Sequence, residues 1–491
     1  MVRKRFILEF SGVLSLTVLG FLTMGYHPGI EDDGLYLAAV KADLHPALFP
    51  FNAQFFRLQM EATVFDGWMA AFVRWTQIPV AWAELLWQFA ALFLILWAVK
   101  KIAGHLFADA PARWAAAAMV AAMFTLPVTG TALYMADQHL HPRNLATALI
   151  LLAVSRILIR RFWQAVPLLL AAFLLHPLMA ALGISFCCFL LLSMHDPVWN
   201  RLNGWQEATA AVIPIGWVFD AGNPAWRQAM NTRTYLYVYR WQWYEWVGVL
   251  APLAFFGLLW RVAGSRKELP LARFSAAVFF YGIFHQLLAM ILLSPAAPAR
   301  LASFQPMRYL HLIYFLMMLV AGGLLGRYVF KCKILHWAVF LLAVNLGMLA
   351  WQKAEFAASR HLEMPWSAPT NPWLQAFEWI RQNTPGNAYF ALDPHYLEAP
   401  GEDFHGFRAL AERSQLADAV KDTAVVTQIP ELGPIWAKQL AAEAGWSRFQ
   451  LADFERLKAT FGVDWVLLSD PPPAGLNCHW HNGRLTVCQI P

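Results

Sequence analysis

Apolar runs recur along the chain as far as Ala350, each closed by a short polar or basic segment, and then give way to a mixed composition. The first run, Phe6 to Met24, matches the roughly 20 residues a spanning helix needs. It lacks a small-residue cleavage site, so it reads as a retained span rather than a signal peptide. Further runs occupy 79–99, 114–133, 145–158, 163–192, 208–219, 247–260, 272–293, 310–325 and 334–350. His176-Pro177 interrupts 163–192. Either this run is two short spans, with 208–219 crossing back, or it is one span and 208–219 does not cross. The two counts are about eleven and about nine. Both are odd, so the two ends of the chain fall on opposite sides of the membrane.

Basic residues orient the pattern. Lys100-Lys101 and the clusters at 156–161, 261–267 and 327–333 lie beside spans, which the positive-inside bias assigns to the cytoplasm along with Arg3, Lys4 and Arg5. The segments around Asp32, Asp137, Tyr235 and Ser294 then face outward, as does everything beyond Ala350. A multi-pass protein of the bacterial inner membrane fits this charge distribution.

Composition agrees. Of 491 residues, 59% are hydrophobic and 14% charged, well short of the quarter or so in soluble proteins, so lipid must solvate most of the chain. The net charge of +6 sits in loops beside spans and is not a nucleic-acid signature.

The long first outer loop, 26–78, carries two mixed stretches, 44–56 and 65–75, expected as amphipathic helices lying on the membrane. A second outer loop, 220–246, is rich in aromatics, either an interfacial belt or a platform for sugar rings or a lipid chain. From about Pro365 helices and strands alternate. A helix is expected at 373–382, a strand at 387–392, a helix at 452–461 stopped by Gly462, and a strand at 464–468. The fold class is therefore a polytopic α-helical membrane domain (1–352) followed by a small extracytoplasmic α/β domain (365–491). Cys478 and Cys488 flank Asn482-Gly483. A two-residue turn leaves them one position out of register and a three-residue loop sets them opposite, so a disulfide and two free thiols both remain open.

Three constellations carry possible chemistry. Glu31, Asp32 and Asp33 follow the first span almost directly. Three adjacent carboxylates repel one another unless a metal, a cation or a proton is used there. One of them can serve as a general base on an acceptor hydroxyl, the plain alternative being a helix cap before 34–38. Asp137, His139 and His141 are candidate ligands for a divalent metal, Mg or Mn, beside Arg143, which suits a phosphate. Arg300, Arg308 and His311 border a later span and also suit an anionic phosphate group. His176 and His285, alone in apolar runs, read as packing residues. No Gly-rich phosphate loop, Ser-His-Asp pattern or zinc-type cysteine spacing is present, which argues against a cytoplasmic nucleotide-hydrolysing core.

With its acidic pair Asp32-Asp33 just after the first span, an amphipathic first outer loop and an outer C-terminal domain, the chain resembles the GT-C superfamily of integral-membrane glycosyltransferases. The stretch Trp379-Ile380-Arg381-Gln382-Asn383-Thr384-Pro385, followed by Ala388, looks like the opening of the C-terminal domain in several members. The resemblance implies sugar transfer from a polyprenyl-phosphate donor to a glycan or lipid acceptor outside the cytoplasm. Asp32 or Asp33, with Glu31 beside them, would take the acceptor proton. Arg308, Arg300, Arg143 and His311 would meet the donor phosphate, and Asp137, His139 and His141 any metal. A lone Asp137 among histidines departs from the paired acids of the oligosaccharyltransferases and argues against protein N-glycosylation. Two rivals stand beside this reading. A transporter would place polar groups near the midplane, where Glu84 is the clearest acid. A non-catalytic envelope assembly protein would keep the fold to bind lipid or a partner.

Overall fold

The computed structural model describes residues 2–194, 222–295, 297–469 and 471–491. The segment 208–219, which separates the two span counts, lies outside them. The first helix is α1 (Val2–Met24), followed in the first loop by α2 (Asp33–Leu44), α3 (Gln54–Met60) and α4 (Phe65–Thr76). Next come α5 (Val80–Leu106), α6 (Ala110–Ala122), α7 (Pro142–Leu158), α8 (Phe162–Leu175) and α9 (Pro177–Met194). After a short α10 (Pro224–Thr232) follow α11 (Trp243–Ser265), α12 (Leu269–Leu292), α13 (Tyr309–Leu324) and α14 (Ile334–Glu355). Seven described helical segments are long and apolar enough to cross a bilayer, and the chain is a multi-pass membrane protein.

His176 and Pro177 divide the long apolar run into α8 and α9, because a proline removes a helical donor and disfavours helix at the residue before it. The run 114–133 is helical only through Ala122. A hairpin of β1 (Pro127–Val128) and β2 (Leu133–Tyr134) closes it, with Gly130 at the turn under the Trp241 ring. In the first loop, α4 matches the expected 65–75, whereas 44–56 is mostly irregular. Pro46 and Pro50 keep helix out of that stretch until Gln54.

The basic clusters meet at one end of the bundle. Lys101 pairs with Glu9 at 3.3 Å, and Arg327 pairs with Glu268 at 2.9 Å and with Asp109 at 3.7 Å. The acidic loop leaves α1 beyond Met24, about 22 Å along the helix from Glu9 at 1.5 Å per residue.

Beyond the bundle, helices α15 (Pro372–Asn383), α16 (Phe407–Ala411) and α19 (Leu451–Phe461) flank a five-stranded sheet, while α17 (Lys421–Gln428) and α18 (Gly433–Ala442) turn Val425, Val426 and Trp436 into the core shared with the first loop and the bundle. Its strands are β3 (Tyr389–Ala391), β4 (Ser414–Gln415), β5 (Trp465–Ser469), β6 (Asn477–His481) and β7 (Leu485–Gln489), in the order β4-β3-β5-β7-β6. β3 runs parallel to β4 and β5, and the remaining pairs are antiparallel. Side chains alternate across it as a period of two requires. Phe390, Trp465 and Leu467 pack with Phe377 of α15 and Phe407 of α16, while Tyr389, Val466 and Leu468 face Phe454 and Leu457 of α19.

Cys478 and Cys488 form a disulfide across β6 and β7. Near the turn His481 pairs with Thr486 and Trp480 with Val487, a register that by itself leaves Cys478 one position off. A shift between Cys478 and Trp480 sets the two cysteines opposite, as a bulge does by placing two residues against one.

This α/β region is stitched to the first loop. Glu31 N–H donates to Phe404 O at 2.9 Å and Gly406 N–H to Gly29 O at 2.8 Å. Lys41 Nζ reaches Ala409 O and Glu412, each at 2.7 Å. Asn52 donates to the Tyr389 hydroxyl and Gln415 O, both at 2.9 Å. Gly34 and Gly406 lie face to face, so close that a Cβ on Gly406 would stand 2.7 Å from Gly34 Cα.

Candidate functional site

The acidic triplet takes three different solutions to its charge. Glu31 holds a left-handed backbone (φ 50°), which costs a non-glycine about 1–2 kcal/mol and is fixed here by the bond to Phe404. Its carboxylate accepts from Lys421 Nζ. Asp32 occupies the N-cap of α2, yet its side chain makes no capping hydrogen bond. One oxygen instead lies 3.3 Å from Lys421 Nζ and the other 3.8 Å from His141 Nε2. The cap alternative thus does not describe what Asp32 does. Asp33 turns inward and is 2% exposed, whereas the Asp32 side chain is 33% exposed.

Asp33 accepts Gly29 N–H at 2.5 Å and hydrogen-bonds Glu84. A hydrogen bond between two carboxyl groups needs a proton on one of them, and burial pushes the Asp33 carboxyl above its ordinary range. Glu84 is on the first turns of α5, beside the acidic loop. It is therefore not a midplane acid, because the start of α5 is at the membrane surface that the loop covers.

Asp32 opens onto a cavity of about 380 Å³. Tyr36 of α2, Gln59 and Thr63 line one side, His141 and Arg308 another, and His176-Pro177 closes the wall where α8 gives way to α9. Leu58, Leu175 and Leu178 add an apolar border, and Gln428 and Ile429 reach in from the α/β region. Arg308 Nε is buried with no hydrogen-bond partner among the described residues. Burial opposes the charge on Asp32, but Lys421 most strongly, then His141 and Arg143, hold its carboxyl well below the usual range. Asp32 is therefore ionised at neutral pH. His141 is not: burial and the Arg143 charge push its imidazole down to about 4.

The second acidic position is closed. Asp137 holds Arg143 through two contacts, Nε at 3.2 Å and Nη2 at 2.5 Å. Burial again opposes ionisation, and the charge and hydrogen bonds of Arg143 outweigh it to hold Asp137 below the usual carboxylate range. His141 Nδ1 accepts Arg143 N–H at 2.9 Å, so the neutral ring carries its proton on Nε2 and offers no free lone pair. Both nitrogens of His139 lack partners among the described residues. No group of three or more His, Cys, Asp or Glu is spaced to hold a metal among the described residues. Asp137, His139 and His141 as arranged do not fit a divalent ion.

Of the basic residues expected at a donor phosphate, only Arg308 lines the cavity. Arg143 is paired with Asp137, Arg300 packs its guanidinium over the Trp226 ring at 5.5 Å, and His311 Nε2 lies 2.9 Å from Met135 O. His285 Nε2 meets Ser185 Oγ at 2.9 Å, as a packing histidine does.

This architecture is similar to solved structures of an archaeal oligosaccharyltransferase. AglB from Archaeoglobus fulgidus, in complex with an inhibitory peptide and a dolichol-phosphate, aligns over 94% of this chain and 69% of its own length. Identity is 11% and the TM-score 0.46. A structure of the A. fulgidus enzyme with Zn and sulfate covers 93% and 68%, at 13% identity and a TM-score of 0.40. Its apo form covers 94% and 69%, at 11% and 0.40. No family model and no curated protein matches the chain. Overlap this loose transfers no residue roles, so the chemistry rests on this chain's own side chains.

Lys421, Tyr36, Gln59 and Gln428 are site residues that the sequence did not expose. Lys421 has no local signature, being one lysine between Asp418 and Asp422. The break at His176-Pro177 did carry a signal, a proline inside an apolar run.

Proposed function

We propose that this chain is a glycosyltransferase of the bacterial inner membrane that moves a sugar from a polyprenyl-phosphate donor to an extracytoplasmic glycan or lipid acceptor. The observation that carries the reading is the shared cavity: an ionised Asp32 and the unpaired Nε of Arg308 line the same 380 Å³ space. Asp32 accepts the acceptor hydroxyl proton as that oxygen bonds the anomeric carbon. The bond from that carbon to the phosphate oxygen breaks, and its electron pair stays on the phosphate, where Arg308 offsets the charge. A single displacement of this kind inverts the anomeric centre. A carboxylate of low pKa is a weak base, so proton transfer runs late, once the attacking oxygen has become acidic. Leu58, Leu175 and Leu178 suit the first isoprene units of the donor.

Glu31 and Asp33 hold the loop around Asp32, through Lys421 and Glu84 respectively. The outward orientation of the site is supported by the basic residues gathered at the far end of the bundle and by the disulfide, which belongs to an oxidising compartment. The test uses the purified full-length protein in nanodiscs with polyprenyl phosphate. Arg308→Ala is expected to weaken binding about tenfold, or ~1.4 kcal/mol, while Asp32→Asn leaves binding unchanged and lowers sugar transfer roughly 10²–10⁴-fold. Wild-type affinity in Arg308→Ala would sink the reading.

A further inference from the structure

We propose that Lys421 is the resident cation of the acidic loop, its ammonium standing between Glu31 and Asp32 in the place a divalent ion would need. The inference deepens the reading above, since it concerns the same Asp32. Nζ of Lys421 contacts both carboxylates, and the residue is 8% exposed although it begins a helix. The rest of the region fixes it there. Asp418 accepts the backbone N–H groups of Val420 at 2.8 Å and Lys421 at 2.5 Å. Asp422, the next residue, is gripped by Arg408 through two bonds of 2.7 Å.

The second acidic position repeats the solution, with Arg143 taking both oxygens of Asp137. Glu31, Asp32 and Asp137 therefore each already hold a basic side chain of this chain. A divalent ion bound by Glu31 and Asp32 would have to share their oxygens with an ammonium, and like charges at that range repel strongly. Lys421 acts as a positioning residue: it fixes the Asp32 carboxylate and keeps it ionised, so the site needs no divalent cation.

The test is Mn²⁺ uptake by the purified full-length protein, followed by loss of the free Mn²⁺ EPR signal, with no donor or acceptor present. Wild type and Lys421→Arg are expected to take up no stoichiometric Mn²⁺. Removing the ammonium in Lys421→Ala is expected to raise Mn²⁺ affinity at least tenfold, and the added Asp32→Asn change to abolish that gain. Stoichiometric uptake by wild type that Asp32→Asn removes would overturn the proposal, as would a folded Lys421→Ala protein that gains none. If Lys421→Ala does not fold, the wild-type and Asp32→Asn measurements decide alone. Because nothing turns over in this assay, an inactive transferase would leave the result standing, and an active one would not rescue it.

Discussion

Gly406→Ala tests whether the α/β region and the acidic loop form one unit. Gly406 has φ −72°, which alanine adopts freely, so the effect is purely steric. The new Cβ would meet Gly34 Cα at 2.7 Å, about 1 Å inside the 3.5–4.0 Å at which carbon atoms attract. Both partners are backbone, so no rotamer change relieves the clash and the two segments must separate. Overpacking of this kind costs about 1–3 kcal/mol. The flanking bonds, Glu31 N–H to Phe404 O and Gly406 N–H to Gly29 O, add about 1 kcal/mol each as they stretch. At ~1.4 kcal/mol per decade the open population of the seam rises at least tenfold. Hydrogen exchange of the full-length protein reads this directly at the amides of Glu31 and Gly406, which should exchange at least ten times faster. Gly386→Ala, with nothing within 4 Å of its added Cβ, is the control and should leave exchange unchanged. Wild-type protection at the seam in Gly406→Ala would refute the argument.

Two further predictions concern the α/β region. Cys478→Ser removes a crosslink separated by 10 residues, for which loop-closure entropy gives about 3 kcal/mol. The variant, or wild type under reductant, should melt at lower temperature, and an unchanged melting profile would count against a formed bond. His405 Nε2 lies 3.1 Å from Glu363 and Nδ1 3.6 Å from Glu402, while His27 is 3.4 Å from the same Glu363 oxygen. Burial opposes both charges, yet Glu363 lifts His405 to about 10 and His405 pulls Glu363 down to about 2. The raised histidine stabilises fully below about pH 6.5 and loses its contribution as pH climbs through 10; the lowered glutamate contributes above about pH 4.5 and fails as pH falls through 2. The melting temperature gap between wild type and His405→Gln should be widest between about pH 4.5 and 6.5 and close toward pH 10. A gap that does not vary with pH would show that the pair is not charged.

Most of the fold was legible because apolar length and charge act locally. Strands 387–392 and 464–468 fall on β3 and β5, and Gly462, at φ 78°, ends α19 as its sequence position implies. Local signals failed where proline overrode apolar composition, at Pro46 and Pro50 and at the hairpin that opens with Pro127. In the site, the triplet announced itself because adjacent carboxylates must be compensated, but the compensating groups are remote. Lys421 and Glu84 reach Glu31 and Asp33 only through tertiary packing. Arg143 was read as a phosphate ligand because six residues of separation do not reveal that Asp137 already holds it.

The pairing of Glu31 with Lys421 also has a temporal side. The two residues are 390 positions apart in the chain. At about 5–20 residues per second, the loop reaches the membrane surface roughly 20–80 s before its counter-charge is synthesised. Throughout that interval the first span is in place while Glu31 and Asp32 lack the Lys421 ammonium that later joins them. The cavity acquires its final electrostatics only after the last span has inserted and α17 has folded onto the loop. A nascent chain that ends before Lys421 would thus carry the bundle without the finished site, and the order of synthesis itself keeps the site unformed until α17 has been made.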